Sequence, residues 1–151
     1  DWRNQTMQTL RSNNLTAKGD SQRKWVESFG PTEAYYFIYD SDLPTKELLG
    51  YCGLDKIHPV HNTAEISLLI RPDCLKSGYG RETIRQLLKI GFGMFNLKCI
   101  FGEIIDSSPS WEFWAKQRFV LEGQLRMRFF KDSVYYGSKV GSITRNEWRD
   151  K

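Results

Sequence analysis

The chain has 151 residues, 40% hydrophobic and 26% charged, with 22 Lys+Arg against 18 Asp+Glu and a formal net charge of +4. Five Trp, seven Tyr and nine Phe supply enough apolar surface for a core, which excludes a disordered, collagenous or low-complexity chain. The charge is unevenly placed. Residues 1–125 carry 15 basic and 15 acidic side chains, so the whole excess lies in residues 126–151. That basic end reads either as a solvated edge or as a rim facing an anionic partner.

In chain order, Gln5–Asn13 and Gly19–Phe29 read as short helices, the second stopped by Gly30-Pro31. Ala34–Tyr39 is aromatic and β-branched, hence a strand. Asp40–Pro44 is turn chemistry, and Leu48–Ile57 makes the return strand of a hairpin. His58–Asn62 is a loop, and Ala64–Ile70 a mostly apolar strand. After Arg71-Pro72 and the segment Leu75–Gly80 comes a helix whose Ile84, Leu87, Leu88, Gly91 and Phe95 form one apolar stripe. Cys99–Ile105 is a strand, Ser110–Gln117 a short helix, Val120–Phe130 a strand, Lys131-Asp132 a turn and Val134–Ile143 a last strand. This order predicts an α/β domain with a mixed sheet, spanning residues 1–151 without a linker or repeat.

No run approaches the ~18 apolar residues of a membrane span, and Asp1-Trp2-Arg3-Asn4 has no signal-peptide pattern. Cys52, Cys74 and Cys99 are odd in number and scattered, which fits reduced thiols; Cys52 and Cys99 lie in apolar, strand-like runs that would bury them. A cytoplasmic protein is expected. His58 and His61 lack the further Cys or His that would complete a metal site, so no metal is expected.

The most informative segment is Gly78-Tyr79-Gly80 between a strand and a helix. Glycine lets the backbone turn sharply and approach a ligand, and a helix N-terminus offers unpaired N–H donors suited to phosphate. Arg81, Arg85 and Lys89 continue as a basic stripe at i, i+4 and i+8. The Rossmann fingerprint fails, because its third glycine would fall at Thr83, and the Walker spacing fails as well.

From Ala64-Glu65-Ile66 through Gly78-Tyr79-Gly80 into an amphipathic helix, the chain resembles the acetyl-CoA-binding motif of the GNAT family of N-acetyltransferases. The likeness continues through Glu103-Ile-Ile, Trp114-Ala-Lys116-Gln-Arg118-Phe119 and Glu122-Gly123. Glu122-Gly123, Arg126, Tyr136 and Glu147-Trp148 resemble the branch that acetylates ribosomal-protein N-termini. Trp2-Arg3-Asn4 and Trp25 resemble openings of that branch and of amino-sugar-nucleotide acetyltransferases. The resemblance implies a GNAT fold of about six to seven strands and about four helices, with a first strand cut off before Trp2.

It also implies direct attack of an amine on the thioester of acetyl-CoA. The cofactor would be held by Leu75, Lys76, Ser77, Gly78, Tyr79, Gly80 and Arg81, and by Ser107 and Trp114 further on. Backbone N–H groups of Leu68, Leu69 and Ile70 would polarise the carbonyl. Several positions depart from the family. Leu75 stands for the usual Gln or Arg, Ser107 for Asn, Arg118 for Gly, and Trp114 for the Tyr proposed as general acid. Indole cannot protonate a thiolate, so Trp114 reads as an apolar wall and Ser110 as the replacement acid. Glu65, the one carboxylate of its apolar strand, matches a strand glutamate that serves as base; it faces either a pocket or solvent. The acceptor would be a protein N-terminus or a small amine such as an amino sugar nucleotide, an anionic one being favoured by the basic tail. Nucleic acid and membrane are not expected as partners, and the assembly expected is a monomer or homodimer. An acyl-CoA-binding module with weak or lost catalysis is the alternative.

Overall fold

The computed structural model describes residues 23, 24, 26–42, 45 and 47–149. Among these, six strands, β1 (Ala34–Tyr39), β2 (Leu48–His58), β3 (Thr63–Ile70), β4 (Cys99–Ile105), β5 (Val120–Lys131) and β6 (Val134–Thr144), form one mixed sheet in the order β1-β2-β3-β4-β6-β5. The expected helix at Gln5–Asn13 lies outside the described residues. The one expected at Gly19–Phe29 is helical at 23, 24, 26 and 27 and turns at Ser28.

Residues Phe29–Ile100 form one compact unit. Strand β1 (Ala34–Tyr39) pairs antiparallel with β2 (Leu48–His58), and β2 pairs antiparallel with β3 (Thr63–Ile70). The alternation of strand side chains puts Leu54, Ala64, Ile66 and Ile70 into a core, each buried, on which helix α1 (Tyr79–Lys89) packs. Ile84, Leu87 and Leu88 of α1 are buried, as the helical period requires.

The stripe does not run on to Phe95. A turn of π-helix at Ile90–Met94, closed by Phe95 N–H donating to the Ile90 carbonyl at 3.1 Å, adds one residue to the repeat. The rotation buries Phe92 and leaves Phe95 exposed.

Strand β4 (Cys99–Ile105) has the expected bounds. The second compact unit continues from Phe101 with α2 (Trp111–Lys116), β5 (Val120–Lys131), β6 (Val134–Thr144) and α3 (Arg145–Arg149). Helix α3 was not expected from periodicity. It starts at a capping box. Thr144 N–H and Oγ1–H both donate to Glu147 Oε2 at 2.7 Å, and Glu147 N–H reaches back to Thr144 Oγ1.

The β5–β6 turn is Asp132-Ser133, not Lys131-Asp132. Both turn residues have positive φ (50° and 63°), the conformation of a two-residue hairpin loop whose twist matches its strands. Lys131 instead pairs with Val134 and is buried. In the middle of β5, the register slips between Leu125 and Phe129, so that Arg126, Met127 and Arg128 stand against Gly137 alone.

Candidate functional site

Strand β3 ends at Ile70, and the chain passes a short 3₁₀ turn at Pro72–Cys74 before the glycine segment. Leu75, Lys76, Ser77 and Gly78 are exposed, Tyr79 and Gly80 half-buried, and Arg81 exposed. Lys76 (φ 65°) and Gly78 (φ 89°) both take left-handed backbone, and a Cβ built on Gly78 meets nothing within 4 Å. Among the described residues, no backbone N–H from Lys76 to Arg81 donates to a protein acceptor. This segment leads into the N-terminus of an 11-residue helix, the positive end of its dipole.

The helix's own charges are partly spent. Arg85 donates from Nε and Nη2 to Glu82 at 2.9 and 2.7 Å, and Gln86 joins the same carboxylate. These bonds pull the Glu82 carboxyl down to about 2. The stripe Arg81–Arg85–Lys89 is therefore interrupted by an internal ion pair at Arg85.

The loop is tied at both ends to the connection between β1 and β2. At its start, Arg71 donates to Glu47 at 2.6 Å, to Asp73 at 2.7 Å and to the Leu48 carbonyl. At its end, Tyr79 Oη–H donates to Asp40 Oδ2 at 2.7 Å. Neither tie is visible as a motif, because the partners lie 24 and 39 residues apart in sequence.

Leu68, Leu69 and Ile70 lie on β3 opposite Cys52, Tyr51 and Gly50 of β2. Glu65 lies on the same strand, directly across from Asp55. Its carboxylate is mostly buried (23% exposed) and accepts from Lys56 Nζ at 2.5 Å, the lysine itself lying out in solvent. Asp55 was not singled out from sequence, although the criterion applied to Glu65 fits it equally: it is the lone carboxylate of strand β2, directly after the apolar run Leu48–Leu54. Gly53 leaves room for the Tyr35 ring to cross it; a Cβ there would come within 2.5 Å of that ring. Tyr35 thereby reaches Asp55 and donates its hydroxyl to the carboxylate. Burial, then the Asp55 bond, pushes the Tyr35 phenol up; burial also raises the Asp55 carboxyl, against the lowering effect of the same bond. His58 and His61 stack at 4.1 Å on the exposed β2–β3 turn. Cys52 is buried, and burial lifts its thiol to about 11, whereas Cys99 is only half-buried.

In the second unit, Ser107 is exposed, and Ser110 is half-buried at the start of α2 with its Oγ 2.7 Å from that of the buried Ser108. Trp114 packs edge-on against Phe113 and Phe119, with ring centroids 5.5 and 5.1 Å apart. The basic end is not a bare rim. Arg128 donates to Glu103 at 2.8 Å, Lys139 stands 3.8 Å from Asp106, and Lys131 is buried.

Residues 2–107 match the model of the acetyltransferase (GNAT) domain. The chain belongs to the GNAT acetyltransferase family. It is 30% identical over 102 residues to the uncharacterized N-acetyltransferase YoaA of Bacillus subtilis, covering 67% of this chain and 58% of that protein. It is 28% identical over 104 residues to the spermidine N(1)-acetyltransferase of Vibrio cholerae, covering 68% of this chain and 60% of that protein. The chain thus matches somewhat less than two-thirds of the length of these curated relatives. A solved structure of a spermidine N-acetyltransferase SpeG mutant from Vibrio cholerae superposes with a TM-score of 0.76 at 23% identity, covering 87% of this chain and 75% of that one, a likeness of GNAT fold. Neither curated relative is named for ribosomal-protein or amino-sugar-nucleotide acetylation. Among the described residues, no group of three His, Cys, Asp or Glu is placed to hold a metal, and no helix is long and apolar enough to cross a membrane.

Proposed function

We propose that the protein is an acetyl-CoA-dependent N-acetyltransferase acting on a primary amine. The carrying observation is the row of open backbone donors from Lys76 to Arg81 at the N-terminus of α1, with open space over Gly78. That cradle fits a pyrophosphate, and it needs no side chain at Leu75, so the family's usual polar residue there is dispensable. Acetyl-CoA would supply the activated thioester. Lys76 to Arg81 would hold its phosphates, and the backbone of Leu68, Leu69 and Ile70 would aim N–H dipoles at developing negative charge. Glu65, held by Lys56, and the neighbouring Asp55 are the carboxylates proposed to take the proton from the acceptor ammonium. Ser110 is the hydroxyl proposed to donate to the departing thiolate, with Ser107 and Trp114 lining the cofactor arm.

A cationic acceptor such as a polyamine is favoured over an anionic one. In the basic end Arg128 is engaged by Glu103 and Lys139 stands near Asp106, whereas Asp55 feels Glu33 and Glu65 nearby, and one relative is named for spermidine. A second reading, a binding module with weak catalysis, has its own observation: Trp114 is packed against Phe119 where the family has a phenol, and the Ser110 hydroxyl is engaged by Ser108.

The test is thermal unfolding with acetyl-CoA and CoA, followed by thiol release with spermidine, an N-terminal peptide and an amino sugar nucleotide. At 100 times Kd, a ligand stabilises by about 2.7 kcal/mol, a shift easily seen. Stabilisation together with thiol release on spermidine is expected. No shift would overturn the cofactor assignment, and a shift without release on any amine would establish the binding module instead.

A further inference from the structure

We propose that Asp40 and Tyr79 form a positioning pair that sets the acetyl-CoA-binding conformation of the Gly78 loop, an inference that rests on the cofactor reading above. Asp40 closes β1, and its carboxylate is used twice. Oδ1 accepts the Asp42 N–H at 2.9 Å, locking the turn that follows β1. Oδ2 accepts the Tyr79 hydroxyl at 2.7 Å. Tyr79 is the first residue of α1 and follows Gly78, whose φ of 89° is the sharpest departure in the loop. The Tyr79 side chain is therefore turned to the β1–β2 connection, and its contribution to an anion at the loop comes from its backbone N–H alone.

The loop itself has little else to hold it. Between Leu75 and Gly78 every residue is exposed, and Leu75 N–H to the Pro72 carbonyl at 3.3 Å is its last internal bond before the helix. Arg71, through Glu47 and Asp73, anchors the entry to the loop. The Asp40–Tyr79 bond anchors the exit, where the loop enters α1. A cradle of backbone N–H groups binds a phosphate only when the groups are held at the right mutual angles, and an exit free to swing would lose part of that pre-organisation.

The experiment compares Tyr79→Phe, Asp40→Asn and the double variant with the unaltered chain. Calorimetry with CoA gives binding, and kinetics with acetyl-CoA and the amine found active gives both KM values and kcat. Loss of one charge-assisted hydrogen bond is expected to weaken CoA binding and raise the acetyl-CoA KM about tenfold. The amine KM and kcat stay within about twofold, and the double variant is no weaker than Tyr79→Phe because the two residues act through one bond. Unchanged CoA affinity in Tyr79→Phe, beside measurable binding by the unaltered chain, overturns the positioning role alone. Equal losses in kcat and in both KM values overturn it in favour of a general structural role. Absence of CoA binding by the unaltered chain overturns the cofactor reading on which the pair depends.

Discussion

Arg118 is the residue whose replacement tests the local physics of this fold most sharply. It follows the C-cap of α2 at φ 71°, in the left-handed region, where the family carries glycine. The hydrogen bonds there form a Schellman motif: Arg118 N–H donates to the Ala115 carbonyl at 2.9 Å, and Phe119 N–H to the Trp114 carbonyl at 3.2 Å. The accompanying apolar contact is Phe119 on Trp114. A residue with a Cβ pays about 1–2 kcal/mol for left-handed backbone. Glycine removes that strain but gains freedom in the unfolded chain, an offset of about 0.5–1 kcal/mol. The net expectation for Arg118→Gly is a gain of about 0.5–1 kcal/mol, or about 1–4 °C in Tm for a chain of this size. Arg118→Ala keeps the strain and is the control. Urea or thermal unfolding followed by tryptophan fluorescence measures both variants. A glycine variant no more stable than the alanine variant would refute the assignment of strain to this position.

Gly78→Val places a β-branched residue at φ 89° in open space, so the cost falls on backbone conformation rather than on packing. CoA binding is expected to fall at least tenfold with Tm lowered by only a few degrees, and near-normal affinity by calorimetry would remove the loop from the cofactor site. Asp55→Asn is expected to reveal a pH-dependent stability. Burial holds the Asp55 carboxyl above its ordinary 3.8, so its ionisation opposes folding. Its favourable contribution is full below 3.8 and is lost as pH rises through the raised value. The variant should therefore exceed the unaltered chain in Tm at pH 7 and lose that advantage near pH 3; a gap that widens on acidification contradicts the argument.

Strand β1 (Ala34–Tyr39) and strand β4 (Cys99–Ile105) were readable to the residue, because aromatic and β-branched runs end there at turn formers. The apolar stripe of α1 was readable up to Gly91 and then failed at Phe95, since nothing in Ile90–Met94 signals a π-turn rather than continued helix. The hairpin turn slid by one residue because its conformation needs two consecutive positive φ values, which Asp and Ser accept without advertising. For the candidate site, the glycine segment was legible as backbone, since Gly78 stands where φ is 89°. The ties that hold the segment were not. Asp40–Tyr79 and Arg71–Glu47 join residues that only the folded β1–β2 connection brings close, and turn residues such as Asp40 look alike whether or not they reach a neighbour.

Charge illustrates the same limit from the other side. The excess in residues 126–151 suggested an anionic partner, yet β4 and the residue after it supply Glu103 to Arg128 and Asp106 to Lys139. Near the glycine loop, Glu82 likewise engages Arg85. In both places some of the cations that sequence counts as available, Arg128, Lys139 and Arg85, are answered by carboxylates within 4 Å. The backbone N–H groups of Lys76 to Arg81 also lack a protein acceptor among the described residues, and no count of Lys and Arg includes them. Binding that rests on fixed amide dipoles follows loop conformation more than it follows net charge. Substitutions that move the loop backbone should therefore outweigh those that delete a single exposed arginine.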